Sequence, residues 1–370
     1  MNLQTRRRAP RVPGRFQVAG FPSASKRKLR ECPGPAPVAH EREKASAVLT
    51  ALVVLMLAGS GGAYAIDPQT ALDALRFPGD TRTRVEAGRF VEVALPTRSD
   101  RDLNVGIAFL VARQAPAALA RTVREEKRVL HADPDTIAYG DLKGEGTATE
   151  LEGLRLTPAQ LKAFAHATPG EDLNLSLDEI AALHAAGGDP HAIEAAVHAL
   201  LLARHRAYRA KGLAGIAPYA RAGSTTSARD DLAAVNRGAR ATRVLSTKFY
   251  DLLDHYPDDR PPDFAEDLYW VQFRAHDEDT VALEHVFQAT FDETAVLVQR
   301  QYYVSTGYNA EQAIVAFLPV DDGTLVIYTN HTSTDQLAGF GGGARRTIGR
   351  TLMARQLEKV FERTRAGLDR

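Results

Sequence analysis

The sequence predicts an α+β protein: an antiparallel β-meander packed on a long C-terminal helix, with a helical insertion ahead of the meander. Three observations predict it. Runs rich in β-branched and aromatic residues fall near 267–275, 281–290, 295–304, 311–320 and 324–332, with Asp292-Glu293 and Asp321-Asp322-Gly323 marking the clearest turns. From about Ala344 to Ala366, the residues Met353, Leu357, Val360, Phe361, Thr364 and Leu368 form one stripe at helical spacing. Between 157 and 255, two capping boxes open helices, Thr157-Pro158-Ala159-Gln160 and Ser176-Leu177-Asp178-Glu179.

The remaining elements follow in order. Asp67-Pro68 starts a short helix, and strands are expected near 88–95 and 104–113. Ala115 to Leu130 reads as a helix, followed by a strand near 135–141. Inside the insertion, Pro190 opens a helix to about Lys211, Gly212 to Ser227 reads as a loop, and helices follow around 229–236 and 246–255.

The order of strand, Ala115-Pro116, amphipathic helix, meander and closing helix resembles the START-like, helix-grip superfamily over about 104–130 and 245–366. That resemblance implies a sheet wrapped around the last helix and an enclosed apolar ligand. The long helical stretch between the two pieces departs from the pattern.

The chain has 370 residues, and Ala47 to Ala58 is its long apolar run. Twelve residues are too short for a span of about 20. Arg42 and Lys44 precede the run and Ala63-Tyr64-Ala65 ends it, the pattern of a secretory signal cleaved after Ala65. Ser60 stands where a lipid-bearing cysteine would be needed, so no stable membrane anchor is expected. Residues 1–37 fit no ordinary leader; a true start at Val38 or a disordered basic tail would account for them. The expected division is a 1–65 leader and one 66–370 domain in the periplasm or outside the cell.

Cys32, the sole cysteine, precedes the cleavage point, so the mature domain is held by its core alone. Its 305 residues suffice, since a chain of about 300 buries roughly 75% of its unfolded surface. The formal charge of zero divides into +8 over residues 1–44 and −8 over the rest. An acidic domain is a poor nucleic-acid ligand, because that binding rests on neutralising phosphates.

Catalytic and metal motifs are weak. Gly339-Phe340-Gly341-Gly342-Gly343-Ala344 has the letters of a dinucleotide turn, but no second strand and acidic residue follow, so tight packing or a gate is the expected role. His184, His191, His198 and His205 recur every seven residues. Helical sites that far apart lie roughly 10 Å along the axis, too far for one metal, so they read as boundary residues. Asp251, Asp254, Asp258, Asp259, Asp263, Glu266 and Asp267 lack calcium-loop spacing and read as a solvated acidic stretch. Neither metal nor cofactor is implied.

Strand register carries the sharpest signal. A two-residue turn at Asp292-Glu293 sets Phe291 opposite Thr294, His285 opposite Arg300 and Leu283 opposite Tyr302. Alternation then puts His285, Arg300 and Tyr302 on the core side, and Glu284, Gln288, Gln299 and Gln301 toward water. A buried guanidinium needs partners, either a structural ion pair or a cavity whose polar floor awaits a ligand. Arg346 and Arg350 share the core arc of the closing helix near its N-terminus, where anions are favoured; Asp335 is the alternative partner for one of them.

The function expected is an exported protein holding an amphipathic, fatty-acid-like or isoprenoid molecule between meander and closing helix. His285, Arg300, Tyr302, Arg346 and Arg350 would meet its anionic head. The alternatives are an enzyme using the same cavity with His285 as general base, and an envelope interaction or scaffold protein presenting the 157–211 helices.

Overall fold

The computed structural model describes residues 66–368, apart from 171, 240–242, 244–246, 262, 276–277 and 339–341. The expected leader and the first glycines of the 339–344 segment therefore lie outside the described residues. No described helix is long and apolar enough to cross a membrane.

The protein is α+β, with an eight-stranded antiparallel sheet at its centre. Chain order runs α1 (Pro68–Ala74), α2 (Thr81–Glu86), β1 (Val91–Ala94), β2 (Asp102–Ala112), α3 (Pro116–Glu125), α4 (Arg128–Ala132) and β3 (Thr136–Asp141). The insertion supplies α5 (Pro158–Ala165), α6 (Leu177–Ala185), α7 (Pro190–Lys211), β4 (Tyr219–Arg221), β5 (Ser224–Thr226), α8 (Ala228–Gly238) and α9 (Thr247–His255). The meander is β6 (Ala265–Ala275), β7 (Glu278–Phe291), β8 (Thr294–Val304), β9 (Ala310–Val320) and β10 (Gly323–Ser333), closed by α10 (Gly342–Leu368). Strands lie in the order β1-β2-β10-β9-β8-β7-β6-β3, so β2 pairs with the far end of the meander.

Local chemistry explains most boundaries. Thr157 and Ser176 cap α5 and α6 through both arms of a capping box, and Asp189 caps α7. The helix expected over 115–130 breaks at Lys127, whose left-handed φ of 47° ends α3 and starts α4. Gly212 ends α7 at φ 53°, where an added Cβ would fall 1.8 Å from the Tyr256 carbonyl oxygen. The expected 212–227 loop contains the short β4–β5 hairpin.

The sheet is covered on both faces. On its inner face Leu283, Phe287, Val298, Ile314 and Ile327 pack with the insertion and with α1. On its outer face Phe109, Val286, Leu297, Phe317 and Tyr328 pack with α3, α4 and α10. Phe361 of α10 seats against Phe109 and Tyr328, with ring centroids 5.2 and 4.8 Å away.

This double cover corrects one expectation. Glu284, Gln288 and Gln301 do not face water but are buried beneath the outer layer. Glu284 accepts from the amides of Gln299 and Gln301 at 2.7 and 2.6 Å. Burial pushes its carboxyl above the usual range despite those bonds.

Candidate functional site

The meander register places Phe291 opposite Thr294 and His285 opposite Arg300, with Asp292 in the left-handed turn conformation at φ 52°. One pairing differs from expectation. A register shift after Leu283 sets it opposite Tyr303, leaving Tyr302 as the extra residue of a bulge. Tyr302 still faces inward, its ring stacked 4.0 Å from that of Tyr208 on α7.

Successive pairings extend this row across the sheet. His285 on β7 faces Arg300 on β8, Arg300 faces Gln312 on β9, Gln312 faces His331 on β10, and His331 faces Asn104 on β2. A polar rung thus crosses an otherwise apolar face. Its two ends differ in character, one sealed and one open.

The sealed end is an internal network. Arg300 is wholly buried and donates to Gln312 Oε1 at 2.7 Å, to the Leu253 carbonyl at 2.7 Å and to the Tyr208 hydroxyl at 3.3 Å. No carboxylate pairs with it among the described residues, so the structural ion pair, one of the two roles expected for it, is not formed. The Leu253 carbonyl lies in the last turn of α9, the negative end of the helix, and the Phe287 ring lies 5.6 Å from the guanidinium. Dipoles and a π face therefore offset the charge.

His285 is equally sealed. Its Nδ1 meets the Tyr208 hydroxyl at 2.9 Å and its Nε2 meets Glu266 at 3.0 Å. Burial drives its pKa down to about 4; Glu266 opposes that drop and Arg300 adds to it. With both ring nitrogens engaged and no exposed surface, His285 is unsuited to the general-base role that the alternative enzyme reading gave it. Tyr302 is also buried and meets His205 Nδ1 at 3.3 Å.

His205 departs from the boundary reading too. It is fully buried, and its Nε2 holds the Gly144 carbonyl at 2.9 Å. The acidic stretch is partly structural: Glu266 serves His285, Asp254 accepts from Asn236, and Asp263 accepts from the Thr290 amide. No cluster suited to a metal occurs among the described residues.

The open end of the rung borders a cavity of about 500 Å³ between the inner sheet face, α1, α8 and the β1–β2 loop. Ala71, Leu75, Val235, Ile314, Ala316 and Ile327 give it apolar walls. Gln312, His331, Asn104 and Thr329 give it a polar floor, and Arg76 and Arg98 stand at its exposed edge. No carboxylate is among its described lining residues. Gln312 links the two ends: it lines the cavity while accepting from Arg300 and donating to Asn236 Oδ1 at 2.8 Å.

Asp102 organises the mouth. It accepts from the backbone amides of Arg98 and Ser99 at 3.0 and 2.8 Å, and its other oxygen lies 3.3 Å from His331 Nε2. Burial pushes its pKa up, but the bonds from His331, Ser99 and the Arg98 amide outweigh burial and hold it down to about 2.

The structure does not bring all five expected residues together. Arg346 and Arg350 belong to α10, on the outer side of the sheet, whereas His285, Arg300 and Tyr302 face inward. Arg346 donates to the Asp100 carbonyl at 2.8 Å. Asp335 pairs with Arg101 and Arg221 instead, at 2.8 and 3.0 Å. The sequence reading missed Gln312, His331 and Arg98. Alternation along β10, with Leu325, Ile327, Thr329 and His331 on one face, was the available signal for His331. No protein-family model, no curated protein and no solved structure matches the chain.

Proposed function

We propose that this protein binds a small amphipathic organic anion in the cavity between α1, α8 and the open end of the polar rung. The observation that carries the proposal is a cavity of about 500 Å³ with aliphatic walls, two arginines at its edge and no carboxylate among its described lining residues. Ligand pockets commonly combine apolar walls with a few oriented polar groups, over roughly 300–1,000 Å³. The apolar walls take the hydrocarbon part, and Arg76 and Arg98 meet the anionic group. Arg300 acts as a positioning residue, since it fixes the amide of Gln312. The ligand class is the one expected from sequence; the cavity opens on the sheet face of His285, Arg300 and Tyr302, with α1 and α8 in place of α10 as its cover.

A reaction in the same cavity is the second reading, favoured by the His331–Asp102 pair in its wall. On that reading His331, rather than the sealed His285, is the general base.

Native mass spectrometry of the purified protein, followed by extraction, tests for a retained ligand. Titration with a fluorescent fatty acid tests the location. Ala234→Trp, which fills the cavity from α8, should abolish binding. Arg98→Gln should weaken the acid by about tenfold, the loss of one charge-assisted bond, but not its neutral alcohol. Unchanged affinity in both variants would place the ligand elsewhere or nowhere.

A further inference from the structure

The far side of α10 presents a feature unrelated to the cavity. Arg345, Ile348, Leu352, Arg355, Lys359 and Arg363 are all exposed. At 100° per residue they fall within an arc of about 80°. The arc lies roughly opposite Ala354, Val360 and Phe361, which seat the helix. Ile348 and Leu352, one turn apart, are 61% and 58% exposed, two of four large apolar side chains so exposed among the described residues. The helix holds seven cations against Glu358 and Glu362, and both carboxylates fall outside the arc. Such a row stands out in a 66–370 domain of net charge −8.

We infer that this row docks the protein on an anionic lipid bilayer, with α10 lying in the interface plane. Four cations on one arc match anionic headgroups, and the aliphatic pair between them matches the acyl boundary just below. The dimensions argue against a protein partner. From 345 to 363 the row is about 27 Å long and about 10 Å wide. That is roughly 270 Å², a third of the ~800 Å² per partner of a stable protein interface. A bilayer needs no complementary groove and accepts a convex helix. Arg346, outside this arc, ties α10 to the loop that edges the cavity. The inference stands whether or not that cavity holds a ligand.

Leu352→Trp in the full chain tests it. The one native tryptophan, Trp270, is 1% exposed, so the new indole reports the row itself. On vesicles of phosphatidylcholine with phosphatidylglycerol its emission should shift to the blue and be quenched by brominated acyl chains. On phosphatidylcholine alone it should not shift, and added salt should reverse the effect. Adding Arg355→Gln, Lys359→Gln and Arg363→Gln should lower vesicle affinity about a hundredfold, at roughly fivefold per cation. Thermal melts matching that of Leu352→Trp show that the charge variant is folded, and the salt series on Leu352→Trp needs no further variant. An indole that stays unshifted on anionic vesicles overturns the inference, even when the chain sediments with them through another segment. An equal shift on neutral vesicles overturns it too.

Discussion

His285 gives the sharpest thermodynamic prediction. Its imidazole is sealed between Tyr208 and Glu266, and its pKa falls from an ordinary 6.5 to about 4. The folded state therefore resists a proton that the unfolded chain accepts. The stabilisation is complete above the unfolded pKa and is lost as pH falls through the folded one. The difference of roughly 2.5 units, at about 1.4 kcal/mol each, corresponds to about 3 kcal/mol lost between about pH 7 and pH 4. Glu266 is also held below its usual range: burial raises it, but His285, the Tyr256 hydroxyl and the Arg260 charge together outweigh burial. It weakens the fold in the same direction, toward still lower pH. Glu284 and Glu311, both raised by burial, act in the opposite sense and lose stability as pH rises. Comparing wild type with His285→Gln cancels those two carboxyls. Urea unfolding of both chains at several pH values is the assay. The gap between the two stabilities should shrink by about 3 kcal/mol as pH falls, on the scale of one proton. A gap independent of pH would refute the sealed, neutral imidazole.

Removing the Arg300 guanidinium with Arg300→Met should destabilise by about 2–6 kcal/mol, since the Leu253 carbonyl and Gln312 Oε1 are left as sealed acceptors at ~1–3 each. Denaturant melts should show Arg300→Met and Gln312→Met to be non-additive, the double variant costing less than the sum; strict additivity would deny the bond. Gly212→Ala should cost several kcal/mol or prevent folding, as its Cβ would strike the Tyr256 carbonyl at 1.8 Å; a melt near wild type would contradict that packing. Gly187→Ala, also at positive φ but with open space around it, should cost only about 1 kcal/mol, which separates the clash from backbone strain.

Much of the meander was legible because two-residue turns and period-two alternation are local. Asp292-Glu293 alone fixes the register that sets His285 opposite Arg300. Capping boxes made α5 and α6 equally readable. The bulge at Tyr302 carried no such signal, and neither did the break at Lys127.

What the sequence determined by itself, then, is the α+β class, the strand register and the polar character of one sheet face. These depend on neighbours in the chain or across one turn. Only the tertiary structure decided what covers each face. Glu284, Gln299 and Gln301 have the composition of a solvated face, yet α3 packs on β7 and β8 on that side and side-chain amides satisfy the buried carboxylate. The insertion, rather than α10, covers His285 and Arg300, so Arg346 and Arg350 ended on the other side of the sheet. Helical phase says which residues share an arc, but not which layer that arc meets. That choice depends on β2, distant in sequence, pairing beside β10 and carrying the Phe109 ring on which Phe361 rests. It is a long-range packing decision, and no short stretch of the chain encodes it.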